Sequence, residues 1–314
     1  MVHRLNGGIA VVLLLLASCG ESVSPQAEPT DAASPAASFP VTIDAGNGDV
    51  TIAERPERIV SLSPTATEML FAIGAGDQVE AVDDQSNYPS DAPVTDLSGY
   101  EPNVEAIVSY EPDLVVYSTE PGDLGAALVG LGIPALQQPA AATLEDAYDQ
   151  IDQLGVATGN EPEAEAVVET MRAEIESIAE SIEPPSELVT YYHELDDTYY
   201  SVTSSTFIGQ LYSLVGLKNI ADEAKGAGGG YPQLSAEYIV DADPDLIFLA
   251  DTKCCGQSSR TVAKRPGWDR IAAVESGGVI PLDDDVASRW GPRVVDYLRR
   301  IAEAVADIME AKAA

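Results

Sequence analysis

The chain has 314 residues, 45% of them hydrophobic, and carries 52 aspartates and glutamates against 16 lysines and arginines, a formal net charge of −36. It is long enough for about two domains, and its apolar content excludes wholesale disorder. The charge argues against nucleic acid, which needs a basic face, and against peripheral attachment to anionic lipid. It is read as a solvated surface that keeps the protein soluble.

The N-terminus reads MVHRLNGGIAVVLLLLASCGES. Arg4 supplies a positive end, and Ile9 to Ala17 form an apolar core too short to span a bilayer comfortably. Ala17-Ser18-Cys19 closes it and resembles a bacterial lipobox, which implies a signal peptide over 1–18 and a lipid on Cys19 outside the cytoplasmic membrane. Residues 19–38 are small, polar and rich in Pro, Ala and Ser. They cannot bury enough apolar surface to fold and are predicted to be a tether.

Beyond the tether, residues 39–56 read as a hairpin, Val41/Ile43 and Val50/Ile52 alternating about the turn Gly46-Asn47-Gly48. RIVSLSP predicts a strand. TATEMLFAIGAG predicts a helix capped by Thr65 or Thr67 and ended by Gly74 or Gly76. Then come a strand in QVEAVDD, a helix in NVEAIVSYEP, a strand in DLVVYS, a helix in GDLGAALVGLG and a strand in PALQQP. Such alternation predicts a parallel sheet covered by helices. In EAEAVVETMRAEIESIAESI, Ala164, Val168, Met171, Ile175 and Ile178 make one apolar stripe on a long helix, which Pro184-Pro185 stops. The alternation then resumes: strands in LVTYYHEL and YYSV, a helix in TFIGQLYSLVG, a helix and strand in SAEYIVDADPDLIFLA, a helix in WDRIAAVESG, a strand in VIPL, and a last helix from Pro292.

SAEYIVDADPDLIFLA (235–250) nearly repeats NVEAIVSYEPDLVVYS (103–118), without a gap, Glu105 falling on Glu237. The reading is therefore of two α/β lobes of one design, 39–160 and 186–314, on either side of a connecting helix, 161–185.

RIVSLSPTATEMLFAIG, NVEAIVSYEPDLVV, YPQLSAEYIVDADPDLIFL and SRWGPRVVDYLRRIAEA, in that order over residues 57–310, resemble the substrate-binding lipoproteins of ABC importers for iron–siderophores and cobalamin. The resemblance implies two three-layer α/β lobes joined by a single long helix, with the ligand cleft between them. It also implies one glutamate per lobe that docks onto arginines of the permease, matched here by Glu105 and Glu237. Fork-shaped Arg–carboxylate pairs suit that role. A place in a helix's first turn, favourable for the dipole, is the plainer reading of either glutamate alone.

Ligand residues are expected in loops at the C-terminal ends of strands. Arg289 matches a family position where an arginine faces the cleft, with Trp290 beside it to stack; Arg293, opening the last helix, is expected to be structural. Tyr231, Tyr100, Tyr200 and Lys253 complete the candidates, the tyrosines having ordinary packing as their alternative. Cobalamin-binding members line the cleft with tryptophans, and Gly99 and Ser118 stand at two such positions. That puts a ferric siderophore or haem ahead of a corrinoid. The expected partners are this chelate, carried as cargo with no cofactor of the protein's own, and a membrane permease dimer, the chain itself being a monomer.

His193-Glu194-Leu195-Asp196-Asp197 suggests a metal site only weakly, because His193 is the single histidine after Cys19 and bare zinc or manganese sites need several converging ligands. Cys254 and Cys255 are then the remaining thiols in an oxidising compartment, and a vicinal disulfide is expected. A bare-ion binder and a surface redox protein or enzyme using these cysteines are the alternatives. The chain has no Gly-x-Ser-x-Gly elbow, no phosphate loop and no His-Glu-x-x-His helix, and GAGGGY reads as a flexible loop, so no enzyme is expected.

Overall fold

The computed structural model describes residues 38–182 and 188–313. The predicted signal peptide, Cys19, the tether up to residue 37 and the stop at Pro184-Pro185 lie outside the described residues. The first lobe opens with the hairpin β1 (Val41–Ala45) and β2 (Gly48–Ile52), paired antiparallel with Ala45 opposite Gly48. It continues as β3 (Ile59–Leu62), α1 (Pro64–Ala72), β4 (Val79–Val82), α2 (Val104–Val108), β5 (Leu114–Tyr117), α3 (Leu124–Gly130) and β6 (Ala135–Gln137). Two helices follow, α4 (Leu144–Thr158) and the long α5 (Glu161–Ser181). The second lobe comprises β7 (Thr190–Glu194), α6 (Phe207–Leu214), β8 (Lys218–Asn219), α7 (Ala236–Ala242), β9 (Leu246–Leu249), α8 (Ser259–Val262), α9 (Ala272–Ser276), β10 (Val279–Pro281), α10 (Asp284–Ala287) and α11 (Val294–Ala313).

Each lobe holds a four-stranded, all-parallel sheet, ordered β4-β3-β5-β6 in the first and β8-β7-β9-β10 in the second. The central strands β3, β5 and β9 are buried throughout. Helices covering both faces make such strands continuous apolar runs.

The repeat has a structural cause. In both copies the Pro-Asp-Leu turn locks the sheet's first strand. Asp113 accepts the backbone N–H of Glu57 (2.9 Å) and Arg58 (3.0 Å), and its own N–H bonds the Arg58 carbonyl. Asp245, its counterpart in the second copy, accepts the N–H of Thr190 (2.8 Å) and returns its own to the Thr190 carbonyl. Glu111 and Asp243, just before the two prolines, both take positive φ, 50° and 46°. The chain thus turns into the strand in a left-handed conformation that a non-glycine residue adopts only where its surroundings impose it.

One hydrophobic core spans the inner layers of both lobes: Met69, Leu70 and Ile73 of α1, Leu154 of α4, Ala164, Val168, Met171 and Ile175 of α5, Leu211 and Tyr212 of α6, and Leu298, Ile301 and Val305 of α11. Separate cores lie under the outer faces, around Ile107, Tyr117 and Leu128 in the first lobe and around Tyr192, Ile239 and Trp268 in the second. The connector is therefore not a bare rod; its apolar stripe is part of the shared core.

Several predicted details change. Ser63, not Thr65 or Thr67, caps α1, its hydroxyl accepting the Ala66 N–H ahead of Pro64 in the first turn. YYSV is not a strand: Tyr199 has φ 71°, and only a single bridge pairs Tyr200 with Gln233. WDRIAAVESG is not one helix, because Ile271 is extended (ψ 134°) between the turn Trp268–Arg270 and α9. The helix α4, absent from the predicted elements, carries a capping box between Thr143 and Asp146 and a left-handed Gly159 at its end. Both are start and stop signals present in the sequence.

Candidate ligand-binding site

A cavity of about 520 Å³ opens at the carboxyl ends of the first lobe's strands, the place where open α/β sheets hold ligands. Leu62 at the end of β3 and Ser63 after it line the cavity, with Asp83 and Gln85 after β4 and Ser118 and Thr119 after β5. Pro139 and Ala140 follow β6, while Gly99 and Tyr100 come from the loop before α2. Across the cleft the second lobe presents Asp285, Ser288, Arg289 and Trp290.

Small residues make the room. A Cβ on Gly99 would stand 2.6 Å from the Leu62 carbonyl oxygen and 2.8 Å from Asp83 Oδ2, so only glycine fits there. Tyr100 is 72% exposed and rises at the rim. Trp290 is partly buried, its indole Nε1 donating to Gln150 Oε1 of α4 at 2.7 Å. The tyrosine and tryptophan therefore offer flat apolar surface on opposite sides.

Arg289 reaches the cavity, but its charge is spent. It is 9% exposed. Nη1 donates to Glu68 Oε1 (2.7 Å) and Asn87 Oδ1 (3.1 Å), and Nη2 donates to the Gln85 carbonyl (2.9 Å) and lies 3.4 Å from Asp285 Oδ1. Arg293 grips the same Glu68, through Nε at 2.9 Å and Nη2 at 2.5 Å, and stacks its guanidinium over Tyr88, 4.3 Å from the ring centroid. Glu68 holds Arg293 above its usual range. One buried carboxylate of α1 thus clamps two arginines of the opposite lobe, and Asn87 adds a donor to Asp285 Oδ2 at 2.9 Å. Arg289 lines the cavity, as its family position implies, and donors already committed to Glu68, Asn87 and Gln85 also make it a latch between lobes.

Lys253, Tyr200 and Tyr231 are not among the residues lining this cavity. Lys253 ties down the rim, its Nζ 2.6 Å from Asp283 Oδ1 and 2.7 Å from Asp285 Oδ2. Tyr200 and Tyr231 are exposed on the second lobe. Glu105 and Glu237 sit exposed in the first turns of α2 and α7, capped by Asn103 and Ser235 at matching positions of the repeat. Neither makes an ion pair among the described residues.

The cysteines also depart from expectation. Cys254 and Cys255 are exposed and unbonded. Their turn is held by its backbone instead, the Cys254 N–H on Asp284 Oδ2 and the Cys255 N–H on the Asp251 carbonyl. Desolvation of the sulfur, the Cys255 thiol beside it and the carboxylates of Asp284 and Asp251 push the Cys254 thiol up to about 12. A thiol so raised is a poor nucleophile at neutral pH.

His193 is fully buried, its Nδ1 2.8 Å from Tyr212 Oη, and burial lowers its imidazole to about 3. It is a neutral core residue and reaches no ligand. Next to it, Arg265 holds the buried Glu194 with two bonds of 2.6 Å and lies over Trp268, 4.5 Å from the ring centroid. Asp251 is buried beside Glu194; burial, then that neighbouring charge, push its carboxyl up to about 8. Among the described residues, no three of His, Cys, Asp and Glu converge to hold a metal ion.

A model of the family described as "Periplasmic binding protein" matches residues 59–286. The chain belongs to this family, the solute-binding components that serve ABC importers outside the cytoplasm, and it is not an enzyme. It is 32% identical to an uncharacterized ABC transporter substrate-binding lipoprotein of Bacillus subtilis, over 96% of this chain and 97% of that one. It is 31% identical to a cobalamin-binding protein of Halobacterium salinarum, over 94% of this chain and 82% of that one. Among solved structures, a possible iron-binding, periplasmic solute-binding protein of Staphylococcus epidermidis matches with a TM-score of 0.70 at 24% identity, covering 80% of this chain and 99% of that one. The periplasmic vitamin B12 binding protein of Vibrio cholerae matches with a TM-score of 0.65 at 24% identity, covering 80% and 97%. These two share its fold.

Proposed function

We propose that the chain captures a corrinoid in the cleft beside Tyr100 and Trp290, as a monomer held to the outer face of the membrane by a lipid on Cys19, and passes it to a permease that Glu105 and Glu237 engage. The observation that carries the ligand class is the neutralised arginine. With Arg289 committed to Glu68 and Asp285, and bonded to Asn87 and Gln85, the cavity offers no free cation among the described residues. Asp83 adds negative charge to its wall, Asp285 being paired with Lys253 and Arg289. A cavity of this kind disfavours the carboxylates of haem and of anionic siderophores, and the net charge of −36 repels them further. A corrinoid whose edge bears amides suits an apolar, anionic wall. The 31% identity to a protein named for cobalamin supports the same choice. This reverses the order that Gly99 and Ser118 suggested: their small side chains leave room for a macrocycle that Tyr100 and Trp290 can flank.

Titration of the full chain in detergent with cyanocobalamin, ferrioxamine, haem, zinc and manganese, followed by tryptophan fluorescence, tests this. Trp290 lines the cavity and should be quenched, while Trp268, fully buried in the second lobe's outer core, should not. The expected result is saturable quenching by cyanocobalamin, lost in Trp290→Phe. Saturation by haem or by zinc instead, with none by cyanocobalamin, overturns the corrinoid reading.

A further inference from the structure

We infer that Asp83 sets the ligand's polarity: its uncovered carboxylate oxygen takes an N–H donor from the bound molecule, so the cavity selects a corrinoid bearing side-chain amides over one bearing carboxylates. This rests on the corrinoid reading above.

Asp83 follows β4, lines the cavity and is 3% exposed. A buried relay fixes its orientation. Oδ1 accepts the Ser86 hydroxyl at 2.5 Å, Ser86 Oγ lies 2.9 Å from Thr67 Oγ1, and Thr67 Oγ1, with a single proton to give, lies 2.9 Å from Ser61 Oγ and 3.0 Å from the Ser63 carbonyl. Oδ2 takes no hydrogen bond among the described residues. It lies 2.8 Å from where a Cβ on Gly99 would stand, so the missing side chain leaves that oxygen open beside a cavity-lining position.

The other charged groups lining the cavity have partners. Asp285 is held by Lys253 and Asn87, and Arg289 by Glu68, Asn87 and Gln85. Outside the cavity lining, Asp84 accepts from Gln85 Nε2 at 3.2 Å. Burial holds the Asp83 carboxyl above its usual range, Asp84 adding to the effect while Ser86 and Arg289 oppose it. A carboxylate short of solvation gains the most from a new donor. A ligand carboxylate against the same oxygen meets like charge in a poorly hydrated place.

Binding of two probes to the full chain tests this: cyanocobalamin, and its derivative with one ring side-chain amide hydrolysed to a carboxylate. Wild type should prefer the amide form by about 10- to 100-fold, the range of a hydrogen bond to a charged group. Asp83→Asn offers a donor as well as an acceptor and should bring the two affinities to within about threefold. Asp83→Ser, read with circular dichroism to establish folding, should do the same and keeps the test open if asparagine disturbs the Ser86–Thr67 relay. Equal affinity of wild type for both probes, or an undiminished preference in both folded variants, overturns the role of Asp83 and leaves the corrinoid reading standing. Failure of wild type to bind either probe overturns both.

Discussion

The two lobes share a frame and differ at the one end that matters. Strand order, the Pro-Asp turn, the helix cap and the exposed glutamate recur in register, yet the carboxyl ends of the strands are built oppositely. In the first lobe Gly99, Ser118 and Thr119 leave a cavity. Their counterparts in the second copy of the repeat are Tyr231, Ala250 and Asp251, and there the strand ends are closed by the Glu194–Arg265 pair with Asp251 against it. A repeated fold thus keeps what builds the sheet and varies what faces the cleft, because strand ends are where side chains can change without disturbing the hydrogen-bonded core.

Three perturbations sharpen this contrast. The largest effect is expected from Arg265→Ala, which leaves Glu194 buried without its partner and should cost about 3–5 kcal/mol in urea unfolding. Cyanocobalamin affinity measured on the folded fraction should hold, since this cluster lies outside the cavity lining; a parallel loss of affinity would mean that the second lobe's strand ends also serve the ligand. The middle effect tests what is shared. Asp113→Ala and Asp245→Ala each remove a carboxylate that caps the first strand of a sheet, and each should cost about 1–2 kcal/mol. Asp245 should cost the more, because Lys312 also pairs with it at 2.7 Å. A large cost in one lobe and none in the other would break the equivalence.

The last effect is a slope with pH. Asp251 is raised to about 8 in the folded protein, against an ordinary value of about 3.9. The folded state therefore keeps a proton that the unfolded chain has lost, and this contribution is full below about pH 4 and disappears as pH rises through about 8. His193, lowered to about 3, acts in the other sense, costing stability as pH falls below its ordinary value of about 6.5. Of these two, Asp251 is the one that slopes between about pH 6.5 and 8, and Asp251→Asn should flatten the decline in unfolding free energy there. An unchanged slope in the variant would assign it to other groups.

Much of this molecule is legible in its residues. Apolar runs of four separated by capped helices mark the parallel sheets, the internal repeat marks two lobes, and the stripe from Ala164 to Ile178 marks the connector, since periodicity and turn residues act locally. Trp290 and Tyr100, which both line the cavity, were legible, the one beside the family-matched Arg289 and the other by its place before the repeated helix. Glu68, Asp83, Gln85 and Asn87 were not. A glutamate inside TATEMLFA or an aspartate after a strand acquires meaning only from what folds against it, and Arg289 comes to them from near the other end of the chain. The arginine expected at the cleft proved also to be a latch, and an unremarked aspartate proved to line the cavity. Sequence by itself determined the frame, because strand, helix and turn follow from short-range pattern and backbone chemistry. Only the tertiary structure decided which charges were already satisfied, because a charge's partners and its exposure to water depend on residues that the chain brings together from both lobes.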